Sequence, residues 1–206
     1  LGDDGWLYVT RLVVPANNPG LLDTLEGYVR PAFFGYPQLQ ALPRRWPAYA
    51  DPEYGFVFKA PEGWQRVAGD VGRPATFSPT SDPDSALVRV WAEPERTLDG
   101  AGDVEAWLAE LVPSAEVIGT DPLQQGQAQG FQVAYQFRDP DGDPRSGLLV
   151  ALRRPDGSVQ AANLQVRQAE VNLLEGAALD GLLADARRAV VEGFIPLPVA
   201  GEPPVS

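Results

Sequence analysis

The chain has 206 residues, 44% of them hydrophobic, which is ample material for a buried core. With 28 acidic against 16 basic residues its net charge is -12, arguing against nucleic acid or an anionic membrane surface, both of which are bound by clustered Lys and Arg. Cys, His and Met are all absent, which removes Ser-His-Asp and Cys-His nucleophiles, imidazole and thiolate metal sites, the usual haem ligands, and disulfides.

In chain order, Asp4-Gly5 leads into a strand-like stretch from Trp6 to Val14 and then a Pro-Asn-Gly loop. An amphipathic run follows, with Leu22, Leu25, Val29 and Phe33 at near-helical spacing and Pro31 set to kink it. The order of elements matches that of the C-terminal end: Asp156-Gly157, a strand, a loop, a helix, then Phe and Pro. Residues 1–42 are therefore expected to be a strand-helix segment, the end of a preceding repeat of the same domain. The missing initiator Met fits a processed chain or one whose numbering starts inside a longer polypeptide. Residues 43–52, bounded by prolines, are expected to be a linker, with Arg44, Arg45 and Trp46 solvated.

The main domain is expected over residues 53–195. Tyr54 to Phe58 opens it as a strand, ending at Lys59 and a turn, Pro61-Glu62-Gly63, that presents Trp64. Two more strands, Ala75 to Ser78 and Ala86 to Ala92, flank a polar turn containing Asp82 and Asp84. Asp103 is the expected N-cap of a helix placing Val104, Trp107, Leu108 and Leu111 on one stripe. Val117 to Leu123 returns as a strand.

Phe131, Val133, Tyr135 and Phe137 alternate with polar residues, so one face of that strand is buried. The turn Asp139-Pro140-Asp141-Gly142-Asp143-Pro144 reverses the chain into Leu148 to Arg153, which is apolar on both faces as a central strand should be. Asp156-Gly157 then turns it into a third strand from Ser158 to Arg167. These short connections specify an antiparallel meander. A helix with Leu179, Leu182, Leu183, Ala186, Val190 and Phe194 on one face closes the domain, and residues 196–206, with four prolines, read as an extended tail. The predicted class is α+β, an antiparallel sheet with helices outside it.

The segments YGFVFKAPEGW (54–64), ATFSP (75–79), LVRVW (87–91), DVEAWLAELV (103–112), QGQAQGFQVAYQF (125–137) and DGSVQAANLQV (156–166) resemble, in order and pattern, the PsbP-like family. That family is named for an extrinsic subunit of photosystem II and also contains bacterial lipoproteins. The resemblance implies an α/β/α sandwich with an antiparallel sheet between helices. It also implies no catalytic centre and no cofactor, and an accessory or assembly role docking on a larger protein complex outside the cytoplasm. A lipid anchor upstream of residue 1 and homo-oligomers are compatible with it. This chain departs from the photosynthetic member in having no histidine and no basic N-terminal arm, so no functional residue is carried over. The scarcity of thermolabile residues fits a thermophilic source.

Individual residues offer few handles for chemistry. Asp139, Asp141 and Asp143 alternate in one turn, a pattern open to a hard cation such as calcium, but the bidentate Glu of a calcium loop does not follow. The alternative function is accordingly a ligand- or cation-binding domain using the acidic loops around Asp139 and Asp82/Asp84. A carboxylate-only hydrolase would need two converging acids, and Glu93, Glu95, Asp103 and Glu105 show no marked pair. Lys59, the only lysine, is expected to be solvated at the end of an edge-like strand. Trp107 is expected in the core, Trp91 against a covering helix, and Trp64 as an exposed contact residue.

Overall fold

The computed structural model describes residues 18–23, 42–43, 45–51, 55–67, 74–169 and 171–196. The expected strand from Trp6 to Val14, most of the amphipathic run after it, Arg44, and the tail beyond Pro196 lie outside the described residues.

Strict alternation and Asp-Gly turns build the centre of the molecule. Strands β1 (Ala48–Asp51), β2 (Phe56–Lys59), β3 (Trp64–Val67), β4 (Ala75–Pro79) and β5 (Ala86–Glu93) precede helix α1 (Ala101–Leu111). Strands β6 (Glu116–Gln125), β7 (Ala128–Arg138), β8 (Pro144–Arg153) and β9 (Val159–Val166) follow, then helix α2 (Gly181–Glu192) and strand β10 (Phe194–Pro196). One sheet has seven strands in the order β3-β4-β5-β9-β8-β7-β6, and the other has three in the order β1-β2-β10. Every pairing is antiparallel. After β5, the chain crosses the sheet through α1, starts again at the far edge as β6, and meanders back until β9 lies beside β5. The expected meander is therefore β7-β8-β9, with β8 buried from Ser146 to Leu152.

Each face of the large sheet covers its own core, as the period of two requires. On one face Val104, Trp107 and Leu108 of α1 pack with Val133, Tyr135, Leu149, Ala151, Val159 and Ala161. On the other, Ala186, Ala189 and Val190 of α2 pack with Leu148, Val150, Leu152, Ala162, Leu164 and Val166. The α2 face is also covered by the small sheet, whose Phe58 meets Phe77 of β4 at 4.8 Å between ring centroids and whose Phe56 meets Phe194 at 5.9 Å. The fold is thus more sheet-rich than a sheet sandwiched between helices. Among the described residues the two helices packed on the large sheet are too short to cover seven strands, and three further strands complete one side.

That second sheet changes several expectations. Residues expected as a solvated linker contribute β1, and Trp46 is 4% exposed in the core beneath it. The strand ending in Lys59 is not an edge but the middle of the small sheet, so Lys59 is half-buried and its Nζ lies 3.5 Å from the Leu42 carbonyl. Phe194 to Pro196 pair with β2 instead of ending a helix or starting a tail. Trp64 is also buried, at 8% exposed. Gly63, at φ +77°, reverses the turn so that the indole points back into the α2-face core opposite Pro79.

Candidate functional site

The two acidic loops predicted from sequence lie next to each other. Arg145 bridges them, donating through Nε to Asp139 Oδ2 at 2.7 Å and through Nη1 to the Asp84 carbonyl at 3.3 Å. Asp139 Oδ1 accepts the backbone N–H groups of Asp141 and Asp143 at 3.1 and 2.9 Å. The Arg145 hydrogen bond, reinforced by those two N–H groups, holds the Asp139 carboxyl below its ordinary range. Both carboxylate oxygens are thus committed to shaping the turn. Among the described residues no three His, Cys, Asp or Glu side chains are grouped to hold a metal ion.

The other expected carboxylates also have local partners. Asp103 is the third residue of α1 and not its N-cap, because Gly100 starts the helix in extended conformation. From there Asp103 Oδ2 accepts the N–H groups of Asp99 and Gly100 at 2.8 and 2.9 Å, the reach-back that satisfies orphan donors at a helix start. Glu105 Oε1 accepts the Thr120 hydroxyl at 2.6 Å. Two wide-mouthed clefts hold further charges. The larger, about 710 Å3, brings Asp82 and Asp180 together with Arg167. Both acids are exposed. The smaller, about 500 Å3, contains Leu98, Phe131 and the Asp99–Arg153 ion pair at 2.7 Å.

Lys59 is held below the ordinary lysine range by burial and then by the nearby Arg188 charge. Trp107 is fully buried and meets half-buried Trp91 edge-on at 5.7 Å, as expected, with the Arg96 guanidinium 4.7 Å from its ring centroid. Sequence reasoning missed a buried polar cluster on the α1 face. Tyr135 lies flat over Gly147, so closely that a Cβ there would sit 2.1 Å from the ring. Its hydroxyl reaches across to β9, donating to Asn163 Oδ1 at 2.8 Å and accepting from Gln165 Nε2 at 3.3 Å. Burial, only partly offset by those hydrogen bonds, pushes the phenol up to about 12. A tyrosine and a glycine on alternating strands were the available signal, and only the register shows that they face each other.

A second missed feature lies where α1 ends and β6 begins. Six large hydrophobic side chains are exposed among the described residues, and three of them, Leu111, Val117 and Ile118, fall at this corner at 40–44% exposure. Among the described residues, β6 is an edge of the seven-stranded sheet. Ile118 is the extra residue of a bulge between Val117 and Gly119, and Pro122 removes a donor further along. Both features blunt the edge against simple strand addition while the apolar side chains stay outside.

No protein-family model matches the chain, and no curated protein matches it. Among solved structures it is similar to the solution structure of cyanobacterial PsbP (CyanoP) from Synechocystis sp. PCC 6803. Identity is 15% and the TM-score 0.52, over 75% of this chain and 95% of that one. A crystal structure of a Pseudomonas aeruginosa protein of unknown function, PA94, matches at 16% identity and a TM-score of 0.39, over 65% of this chain and 89% of that one. The likeness to CyanoP is one of fold, and the fold is PsbP-like.

Proposed function

We propose that the chain is a non-catalytic accessory module that docks on a larger protein complex outside the cytoplasm, as part of a secreted protein or a membrane-anchored lipoprotein. The observation that carries this reading is the exposed apolar corner of Leu111, Val117 and Ile118 at what is, among the described residues, the edge of the large sheet, because clustered apolar exposure of this kind marks interaction surfaces. The reading is supported by the commitment of Asp103, Glu105 and Asp139 to caps, turns and local hydrogen bonds. The PsbP-like sequence pattern and fold agree with it.

The test is the native size of the tagged chain in gently lysed source cells. The proposal expects it in an assembly well above the mass of the same chain under denaturing conditions; a species of single-chain mass at low and moderate salt alike overturns it. Residues 1–42 are proposed, in the same scheme, as the end of a preceding repeat. An intact mass of the natural protein above 22.2 kDa supports that assignment, and a mass of 22.2 kDa removes it.

A further inference from the structure

Between Arg96 and Arg138 the chain runs 41 residues without one Lys or Arg while carrying Asp99, Asp103, Glu105, Glu110, Glu116 and Asp121. That interval is α1 and β6 together with most of β7. The two elements are joined side by side, with Thr120 of β6 donating to Glu105 of α1. Asp99 and Glu110 pair with arginines from outside the interval, Arg153 at 2.7 Å and Arg96 at 2.6 Å, and Asp103 is spent on the helix start. Glu116 and Asp121 are exposed on β6 and pair with no cation among the described residues. They flank Val117 and Ile118 on the same strand, with Leu111 at the end of the adjoining helix. By register Val117, opposite Tyr135, is on the α1 face of this edge, and Glu116 and Asp121, opposite Gln136 and Gln132, are on its other face, so an extended partner with alternating side chains meets both.

We infer that this corner takes a short segment of a partner protein in which basic residues alternate with apolar ones, the apolar side chains seated on Leu111, Val117 and Ile118 and the basic ones on Glu116 and Asp121. The inference rests on the docking function proposed above and assigns its surface and the partner's chemistry. Charge complementarity selects the occupant, since carboxylates unpaired at the rim attract Lys and Arg and repel acidic partners. A second copy is disfavoured on the same ground, because it would set Glu116 and Asp121 against the same acidic strand. The bulge and Pro122 confine backbone pairing, so the side chains carry the recognition.

The test is a titration of the isotope-labelled full chain, followed by amide NMR, with a synthetic ten-residue peptide alternating lysine and leucine and a control alternating glutamate and leucine. Two variants accompany it: Glu116→Lys with Asp121→Lys, which reverses the charge, and Val117→Ser with Ile118→Ser, which removes the apolar seat without changing charge. The expected result is shifts concentrated between residues 105 and 121 with the lysine peptide only, and affinity reduced about tenfold or more in each variant. Amide spectra unchanged outside this stretch show that the variants fold. Shifts centred elsewhere, equal binding by the glutamate peptide, unchanged affinity in either variant, or self-association through β6 would each overturn the assignment. Native-size measurement on the same variants separates the two levels. A wild-type assembly that persists in both variants leaves docking standing and removes this surface, whereas failure of the wild type to assemble removes the docking function itself.

Discussion

Tyr135 shows how one side chain can hold two strands in register. Its ring replaces the side chain that Gly147 lacks, and its hydroxyl is satisfied 28 residues away on β9. Because the phenol is pushed from its ordinary 10.0 to about 12, the folded state keeps its proton while the unfolded state loses it. The associated stability is fully present below pH 10.0 and is lost as pH rises towards about 12. Tyr49 is also raised, by burial and then the Asp51 carboxylate, so absorbance titration of the folded protein is expected to show late ionisation at both, and Tyr135→Phe should remove the part due to Tyr135. The variant should also lose about 1–2 kcal/mol at neutral pH, measured by urea unfolding, by leaving Asn163 and Gln165 without their shared partner. Asp139 titrates in the opposite sense. Its folded value is depressed by Arg145 and the turn N–H groups, so its contribution is present above its ordinary 3.8 and lost as pH falls below it. Asp139→Asn should flatten the acid limb of the stability profile measured by thermal melting between about pH 5 and 2; an unchanged acid limb would contradict the assignment.

At the level of elements, legibility followed the range of the information. The meander could be read because alternation and Asp-Gly turns are local: Phe131 to Phe137 and Ser158 to Val166 carry their own period, and the turn at Gly157, at φ +87°, is one that only a flexible residue fits comfortably. β1 and β10, at four and three residues, are too short to show a period, and β10 pairs with β2 from the opposite end of the domain. No sequence window contains that pairing, which is why Lys59 was misplaced by local reasoning. The bulge at Ile118 is equally invisible, since one extra residue leaves the composition of the strand unchanged. The contact between β7 and β8 gives a further expectation. Gly147→Ala would put its Cβ into the Tyr135 ring and should cost about 1–3 kcal/mol in urea unfolding, with the near-ultraviolet tyrosine signal altered. A neutral effect would show that the ring does not lie where described.

Across the whole molecule, the chain separates its faces by role. The α2 face is closed twice over, by a helix and by the small sheet. Among the described residues the α1 face is covered by one helix of 11 residues, about 16 Å long, against seven strands spanning about 29 Å. Val117 stands at the edge of that more open side, and Glu116 and Asp121 lie along the same edge on the opposite face. Net charge was visible in the sequence, but its concentration around an apolar corner depended on α1 packing beside β6. Docking through this corner is the central claim, and site-specific photocrosslinking tests it most directly. A photoreactive phenylalanine analogue is placed at Val117 and, as a control, at Asp156, an exposed position in the turn between β8 and β9. In source cells, a discrete adduct from position 117 and none from position 156 is the predicted result. An intact assembly that crosslinks from position 156 but not from position 117 would contradict the account.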